Sequence, residues 1–315
     1  MRALLLLCLL TFVFGAIATE TVLPSDSRIT YSGRFDKSNP KMYTYDWSAV
    51  QYGISFIGHT LGIYLKDAGN QYDLIVDETQ TLQFNATQDA GMAYYTLIRF
   101  EHAEQYHTVR LVKRTEALFG MVSFGGFEIN HPDRSLSPLA TPTDRPVPPR
   151  EFKHRIEFLG DSLSCGYGNL GHWPCHFSAD TEDAMQSFPY LTAVHFEAEP
   201  HLQCWSGKGV VRNYGDVNTT SADPFPTFYT RSGYHGLIAQ VRRFHPDATV
   251  FLGSGVTYRE PVDYVKRIAA KEGAHFIDLS NTLKTDYGCD YHPDLTADKR
   301  IAQRMIDGIA AVVGK

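Results

Sequence analysis

At 315 residues with 43% apolar side chains, the chain exceeds a typical single domain and has material for two packed cores. A formal charge of −6, from 35 acidic against 29 basic residues with no long Lys/Arg block, argues against nucleic acid or an anionic membrane as the main partner, because phosphate binding needs concentrated positive charge.

The chain begins with Met1 and Arg2, an apolar run over 3–14, and the small residues Ala16 and Ala18, which is the order of a secretory signal peptide with cleavage after Ala18. No other stretch is long and apolar enough for a membrane anchor, so the expectation is a soluble, secreted protein. Export changes how the cysteines are read. Cys8 leaves with the leader, and Cys165, Cys175, Cys204 and Cys289 allow three disulfide pairings among which the sequence does not choose. A metal site is the rival reading, but no Cys-x-x-Cys pair occurs, and His172, Cys175 and His176 surround Pro174 in a loop; none is expected. Sequons at Asn85 and Asn218 fit glycosylated surface loops.

Short alternating runs at 53–57, 61–66, 72–76, 94–100, 107–113 and 121–129 predict an antiparallel β-sandwich over 19–134. Its many aromatic residues are read first as core and only second as sugar platforms. Residues 135–150, with Pro138, Pro142, Pro146, Pro148 and Pro149, form a stiff linker at which the domain boundary is placed. Beyond it the period changes. Leu237, Ile238, Val241 and Phe244 recur at helical spacing, and 248–252 reads as a strand. A helix from Pro261 with Val262, Val265, Ile268 and Ala269 inward ends at Gly273, and a strand over 274–279 follows. The last helix, about 296–313, turns Ile301, Met305, Ile309 and Val312 inward. Strands alternating with helices over 151–315 predict an α/β domain with a parallel sheet.

Three stretches of this second part carry chemistry. Residues 156–160 alternate as a strand that Gly160 ends, so Ser162 stands at the strand's mouth, where ligands bind in open α/β sheets. Ser162 as a mere helix cap is the plain alternative. The loop Gly288-Cys289-Asp290-Tyr291-His292-Pro293 opens on the same edge, and a serine, an imidazole to take its proton and a carboxylate to orient the imidazole form a working set. The glycine turn at Ser206-Gly207-Lys208-Gly209 offers backbone N–H groups to an oxyanion. Gly166-Tyr167-Gly168-Asn169-Leu170-Gly171 matches the dinucleotide pattern in letters, but it starts well after the strand, and Trp173-Pro174 breaks the helix it should open.

Gly160-Asp161-Ser162, the turn at Gly207 and the late Asp290-Tyr291-His292-Pro293 together resemble the SGNH hydrolase superfamily. Within it the chain resembles carbohydrate esterase family 2, secreted acetylesterases of plant polysaccharides with a jelly-roll sandwich ahead of the SGNH domain. Leu111-Val112-Lys113-Arg114-Thr115-Glu116-Ala117, Trp205-Ser206-Gly207-Lys208-Gly209 and Arg212-Asn213-Tyr214-Gly215-Asp216 are also similar to that family. The resemblance implies Ser162 as nucleophile, His292 as general base, the N–H groups of Ser162 and Gly207 as oxyanion donors, and Tyr291 and Trp205 as substrate contacts. The spacing Asp-x-His departs from the usual Asp-x-x-His, which leaves either the Asp290 carboxylate or the Tyr291 carbonyl to orient His292.

A second departure is larger. Members carry a third oxyanion donor, an Asn on an apolar strand, between the glycine turn and the next helix, whereas here Thr230-Arg231-Ser232-Gly233 leads straight into the helix at Gly236. A skipped exon in the gene model, or a natural loss of function, would each leave such a gap. The expected protein is a monomeric acetylesterase of acetylated polysaccharides, without metal or cofactor, binding neither nucleic acid nor membrane. The rival is a non-catalytic glycan-binding or interaction protein derived from such an esterase.

Overall fold

The computed structural model describes residues 18–67, 69–87, 91–102, 105–131, 152–227 and 234–314. The leader up to Ile17, the proline-rich stretch 135–150 and the segment 230–233 before the Gly236 helix lie outside the described residues.

The N-terminal part is antiparallel. Its strands are β1 (Ala18–Val22), β2 (Ile29–Ser32), β3 (Tyr43–Tyr45), β4 (Gln51–Ile57), β5 (Thr60–Lys66), β6 (Gln71–Val76), β7 (Gln80–Asn85), β8 (Ala93–Arg99), β9 (Tyr106–Lys113) and β10 (Val122–His131). One five-stranded sheet runs β2-β4-β9-β6-β7; the other runs β1-β10-β5-β8, with β3 pairing beside β1 along β10. Alternate residues of both sheets, among them Ile54, Tyr72 and Leu111 from one and Leu61, Ile63 and Phe127 from the other, fill a single core. The tyrosines in it keep their hydroxyls paired: Tyr45 meets Tyr52 at 2.8 Å, and Tyr72 donates to Asp67. The six predicted runs coincide with β4, β5, β6, β8, β9 and β10, with Phe100 and Met121 each one residue outside its strand. β1, β2, β3 and β7 are short strands or ones whose side chains do not alternate cleanly in the sequence.

The C-terminal part alternates strand and helix: β11 (His154–Gly160), α1 (Ser162–Cys165), α2 (Phe188–His195), β12 (Ala198–Cys204), α3 (Tyr234–Phe244), β13 (Phe251–Ser254), α4 (Val262–Glu272), β14 (His275–Asp278) and α5 (Leu295–Val313). Gly273 closes α4 in the left-handed conformation with φ 60°, and the Asp294 side chain caps α5 through the N–H groups of Thr296 and Ala297. Val265, Ile268 and Ala269 of α4 are buried as their spacing predicts; on α5 Ile301 and Ile309 are buried, whereas Val312, in the last turn, is 41% exposed.

The strands here are parallel, but they do not form one sheet. β11 pairs with β12 and β13 pairs with β14, and among the described residues no strand joins the two pairs. Ile156 of β11 and Phe251 of β13 nevertheless pack on one core with Phe188 of α2 and Ile301 and Ile309 of α5, so both pairs lie on a shared helical layer. The two parts also touch each other. Ser48 bridges to Leu202 of β12, Ala49 packs with Phe158 and Leu202, and the Ala184 N–H donates to the Arg114 carbonyl at 3.0 Å.

Candidate active site

Gly160 ends β11, and Asp161, in extended backbone, caps α1 by accepting the Leu163 N–H at 3.1 Å. The cap is therefore Asp161. Ser162 is the first helical residue, and its hydroxyl is left for another partner. That partner is His292, whose Nε2 lies 2.9 Å from Ser162 Oγ. On the far side of the ring Nδ1 lies 3.1 Å from the Asp290 backbone carbonyl, which can only accept, so Nδ1 carries the proton and Nε2 accepts from Ser162.

The orienting group is thus a main-chain oxygen, and it belongs to Asp290 rather than to Tyr291. The Asp290 carboxylate is turned away from His292. It accepts the Phe177 N–H at 3.0 Å and the Tyr167 hydroxyl at 3.2 Å, and it pairs with His176 Nδ1 at 3.0 Å. These contacts, the Phe177 N–H first, hold it below the usual carboxylate range. Asp290 and Tyr291 are both left-handed, with φ 50° and 62°, a conformation that costs a non-glycine residue of order 1–3 kcal/mol. Its surroundings over-determine the turn. Cys289 is disulfide-bonded to Cys175, the Asp290 N–H donates to the Cys175 carbonyl, the Cys289 N–H to Gly168, and the Gly288 N–H back to His292.

Burial moves the His292 imidazole below histidine's ordinary range, against the opposing pull of the Asp290 carbonyl and the Asp161 charge. A neutral imidazole beside a serine hydroxyl is the state a general base needs. The Tyr167 ring stacks on His292 at 4.1 Å and on Phe177 at 3.7 Å. Tyr167 was legible only as part of a glycine pattern; Gly166 in that pattern ends α1 with φ 85°, and Gly168 supplies the carbonyl that Cys289 uses.

Gly207 sits in the turn after β12 with φ 77°, its carbonyl accepting the Tyr214 N–H at 2.8 Å. The Trp205 N–H donates to the Gly160 carbonyl at 3.1 Å, which registers this turn against the Ser162 strand. The second disulfide, Cys165–Cys204, joins the end of α1 to the end of β12. Two asparagines nearby are committed elsewhere: Asn169 donates to Asp183 and Asp298, and Asn213 donates to Asp223 while accepting from Gly209. Tyr291 is 57% exposed and stacks on Trp173 at 3.8 Å, an aromatic corner beside His292. Trp205 instead lies against Trp47 of the antiparallel part, with ring centres 6.3 Å apart.

Comparison with known proteins finds relatives along most of the chain. Residues 31–138 match the family model described as carbohydrate esterase 2 N-terminal. The chain is 28% identical over 338 aligned residues to the cellulase/esterase CelE of Acetivibrio thermocellus, covering 91% of this chain and 40% of that protein. It is 35% identical over 191 residues to an acetylxylan esterase / glucomannan deacetylase of Cellvibrio japonicus, covering 59% of this chain and 47% of that one. The chain thus spans less than half the length of these two relatives. Among solved structures, a family two carbohydrate esterase from Clostridium thermocellum in complex with cellohexaose superposes with a TM-score of 0.72 at 25% identity, covering 91% of this chain and 99% of that one. A family two carbohydrate esterase from Cellvibrio japonicus shares the fold with a TM-score of 0.71 at 19% identity, covering 94% and 98% of the two chains. Residues 31–138 thus match the carbohydrate esterase 2 N-terminal family model, and over nine-tenths of its length the chain is similar to family 2 carbohydrate esterases.

Proposed function

We propose that the protein is a secreted carbohydrate O-acetylesterase working through Ser162 and His292. The observation that carries this reading is the 2.9 Å contact between Ser162 Oγ and His292 Nε2, with Nδ1 held by a carbonyl. Ser162 Oγ attacks the acetyl carbonyl carbon while His292 Nε2 takes the hydroxyl proton. The N–H groups of Ser162 and Gly207 face the oxyanion, and the imidazolium returns the proton to the departing sugar oxygen. Water deprotonated by His292 then releases acetate from the acetyl-serine. The Asp290 carbonyl stabilises the imidazolium as an acceptor, so its carboxylate is not needed on the ring. No electron changes hands and no metal or cofactor enters these steps.

The exposed Trp173–Tyr291 corner supports an acetylated plant-type polysaccharide or oligosaccharide as substrate, since sugar faces stack on aromatic rings. The names of the relatives point the same way. We read the whole as a jelly-roll sandwich over 19–134, a linker over 135–150 and an SGNH-type hydrolase domain over 151–315, acting as a monomer outside the cell. Two disulfides fit that compartment, and no helix among the described residues is long and apolar enough to cross a membrane.

The separation of β11–β12 from β13–β14 favours a second reading, that the chain binds glycan with little or no turnover. Losing one preorganised oxyanion donor lowers turnover by about 100- to 1000-fold. Hydrolysis of an acetylated xylo-oligosaccharide by the purified protein, set against Ser162→Ala, separates the two. Acetate release abolished by Ser162→Ala at an unchanged melting temperature is the expected result. Turnover retained in that variant removes the nucleophile assignment, and glycan binding with no release in the unaltered protein leaves the binding reading.

A further inference from the structure

The chemistry above leaves a group of buried charges unused. Lys113, Arg114, Glu116 and Glu182 are 0–2% exposed where the end of β9 meets the C-terminal part. Charges so placed are costly unless each is paired or hydrogen-bonded. Lys113 Nζ donates to the carbonyls of Asp46, Thr115 and Glu116 at 2.8, 2.7 and 3.0 Å, and Arg114 Nη2 donates to the Glu182 carbonyl at 3.2 Å. Glu116 is spent differently. Its carboxylate crosses from the antiparallel part and takes both hydrogen bonds Ser206 can donate, the backbone N–H to Oε2 at 2.5 Å and the hydroxyl to Oε1.

Ser206 precedes Gly207. A Cβ added at Gly207 would find only Tyr214 Cβ, at 4.0 Å, so little packs against Gly207 itself and its direction rests on hydrogen bonds. On one side the Tyr214 N–H holds the Gly207 carbonyl, and on the other Glu116 holds Ser206. Glu116 is itself anchored, its N–H on Glu182 Oε2 and its carbonyl on Lys113 Nζ, each at 3.0 Å. Its Oε2 also lies 3.7 Å from Cys165 Sγ, so the same carboxylate touches the disulfide that joins the Ser162 helix to β12, the strand leading into the Gly207 turn. Glu116, Cys165 and Glu182 come within metal-ligand range of one another, but the Cys165 sulfur is held in that disulfide and offers no thiolate.

We propose that Glu116 is a positioning residue for the oxyanion turn: the antiparallel part reaches into the hydrolase part and holds Ser206, so that the Gly207 N–H stays aimed at the developing charge. The kinetic consequence rests on the esterase reading, whereas the anchoring of the turn does not. Preorganised donors act only while their direction is kept.

The test uses Glu116→Ala, Glu116→Gln and Ser206→Ala in the full chain, with acetyl-ester kinetics and amide hydrogen exchange over residues 205–209. Glu116→Ala is expected to lower kcat by about 10- to 100-fold, part of the loss of a whole donor, with KM nearly unchanged. Exchange over 205–209 accelerates while β10 keeps its protection. Glu116→Gln restores most of kcat, because its carbonyl accepts the Ser206 N–H and its amide donates to the Ser206 hydroxyl. Ser206→Ala, which leaves the buried charges intact, gives a smaller loss of kcat and covers the case in which Glu116→Ala fails to fold. Unchanged exchange over 205–209 in Glu116→Ala, or in Ser206→Ala where Glu116→Ala does not fold, or full kcat in Glu116→Ala, overturns the inference. If the unaltered protein releases no acetate, the esterase reading fails, and the exchange data still decide the anchoring.

Discussion

His292 and Asp290 show how an acidic residue beside a base can serve through its backbone. The Asp290 carbonyl holds Nδ1, while its carboxylate fastens Phe177, His176 and Tyr167. Asp290→Asn keeps the carbonyl, so its loss in kcat should stay under about tenfold, whereas His292→Ala removes the base and should cost about 100- to 10,000-fold. Equal losses in the two variants would make the carboxylate a full member of the triad. The depressed pKa of His292 has a kinetic sign. The base works when neutral, so the acid limb of the kcat/KM profile is expected below histidine's ordinary pKa of 6.5. The same group's contribution to stability is full above 6.5 and declines as pH falls through its folded value, because protonation is easier in the unfolded chain. An acid limb above 6.5 would show that burial does not govern this imidazole.

At the scale of elements, the loop that carries His292 is a strained turn held from outside. Two consecutive left-handed residues, neither a glycine, are kept in place by the bond between Cys175 and Cys289 and by main-chain contacts to Gly168 and Cys175. These cysteines are separated by 114 positions, a span for which loop closure in the unfolded chain corresponds to about 4–5 kcal/mol. The paired variant Cys175→Ala/Cys289→Ala is therefore expected to lower the melting temperature and to lower kcat as well, since the turn that aims His292 relaxes. Calorimetry alongside ester kinetics checks this; a fall in melting temperature with kcat unchanged would mean that the main-chain contacts suffice to aim the imidazole.

For the whole molecule, the decisive feature is that among the described residues no strand joins the β11–β12 pair to the β13–β14 pair. An unpaired strand edge leaves N–H and C=O groups to find other partners, and the strand that the resemblance implies there would also bring apolar side chains worth roughly 1.5–3 kcal/mol each. The chain as it stands is expected to melt at low temperature or to hydrolyse acetyl esters feebly. An Asn-bearing apolar strand inserted between residues 230 and 236 is expected to raise both stability and kcat. A cooperative high-temperature transition with esterase-level turnover in the chain as it stands would refute this and place the third donor on another residue.

The strands β4, β5, β6, β8, β9 and β10 of the antiparallel core and the helices α4 and α5 were legible in the sequence, because apolar side chains recurring with period 2 or 3.6 must share one face wherever the chain goes. Ser162, His292 and Gly207 were legible as local patterns at the ends of strands. What those patterns could not contain was anything made by residues far apart along the chain. Only the tertiary structure decided that Asp161 rather than Ser162 caps the helix, that Asp290 orients His292 through its carbonyl, and that Cys165 joins Cys204 while Cys175 joins Cys289. It also decided that Tyr167 and Trp173 stand at the site, and that Glu116 of the antiparallel part meets Ser206 of the other. Each of these depends on the direction of a carbonyl, a ring or a carboxylate in space. Periodicity assigns a residue to a face; the direction of its polar atoms is set by which distant groups folding brings within hydrogen-bond reach.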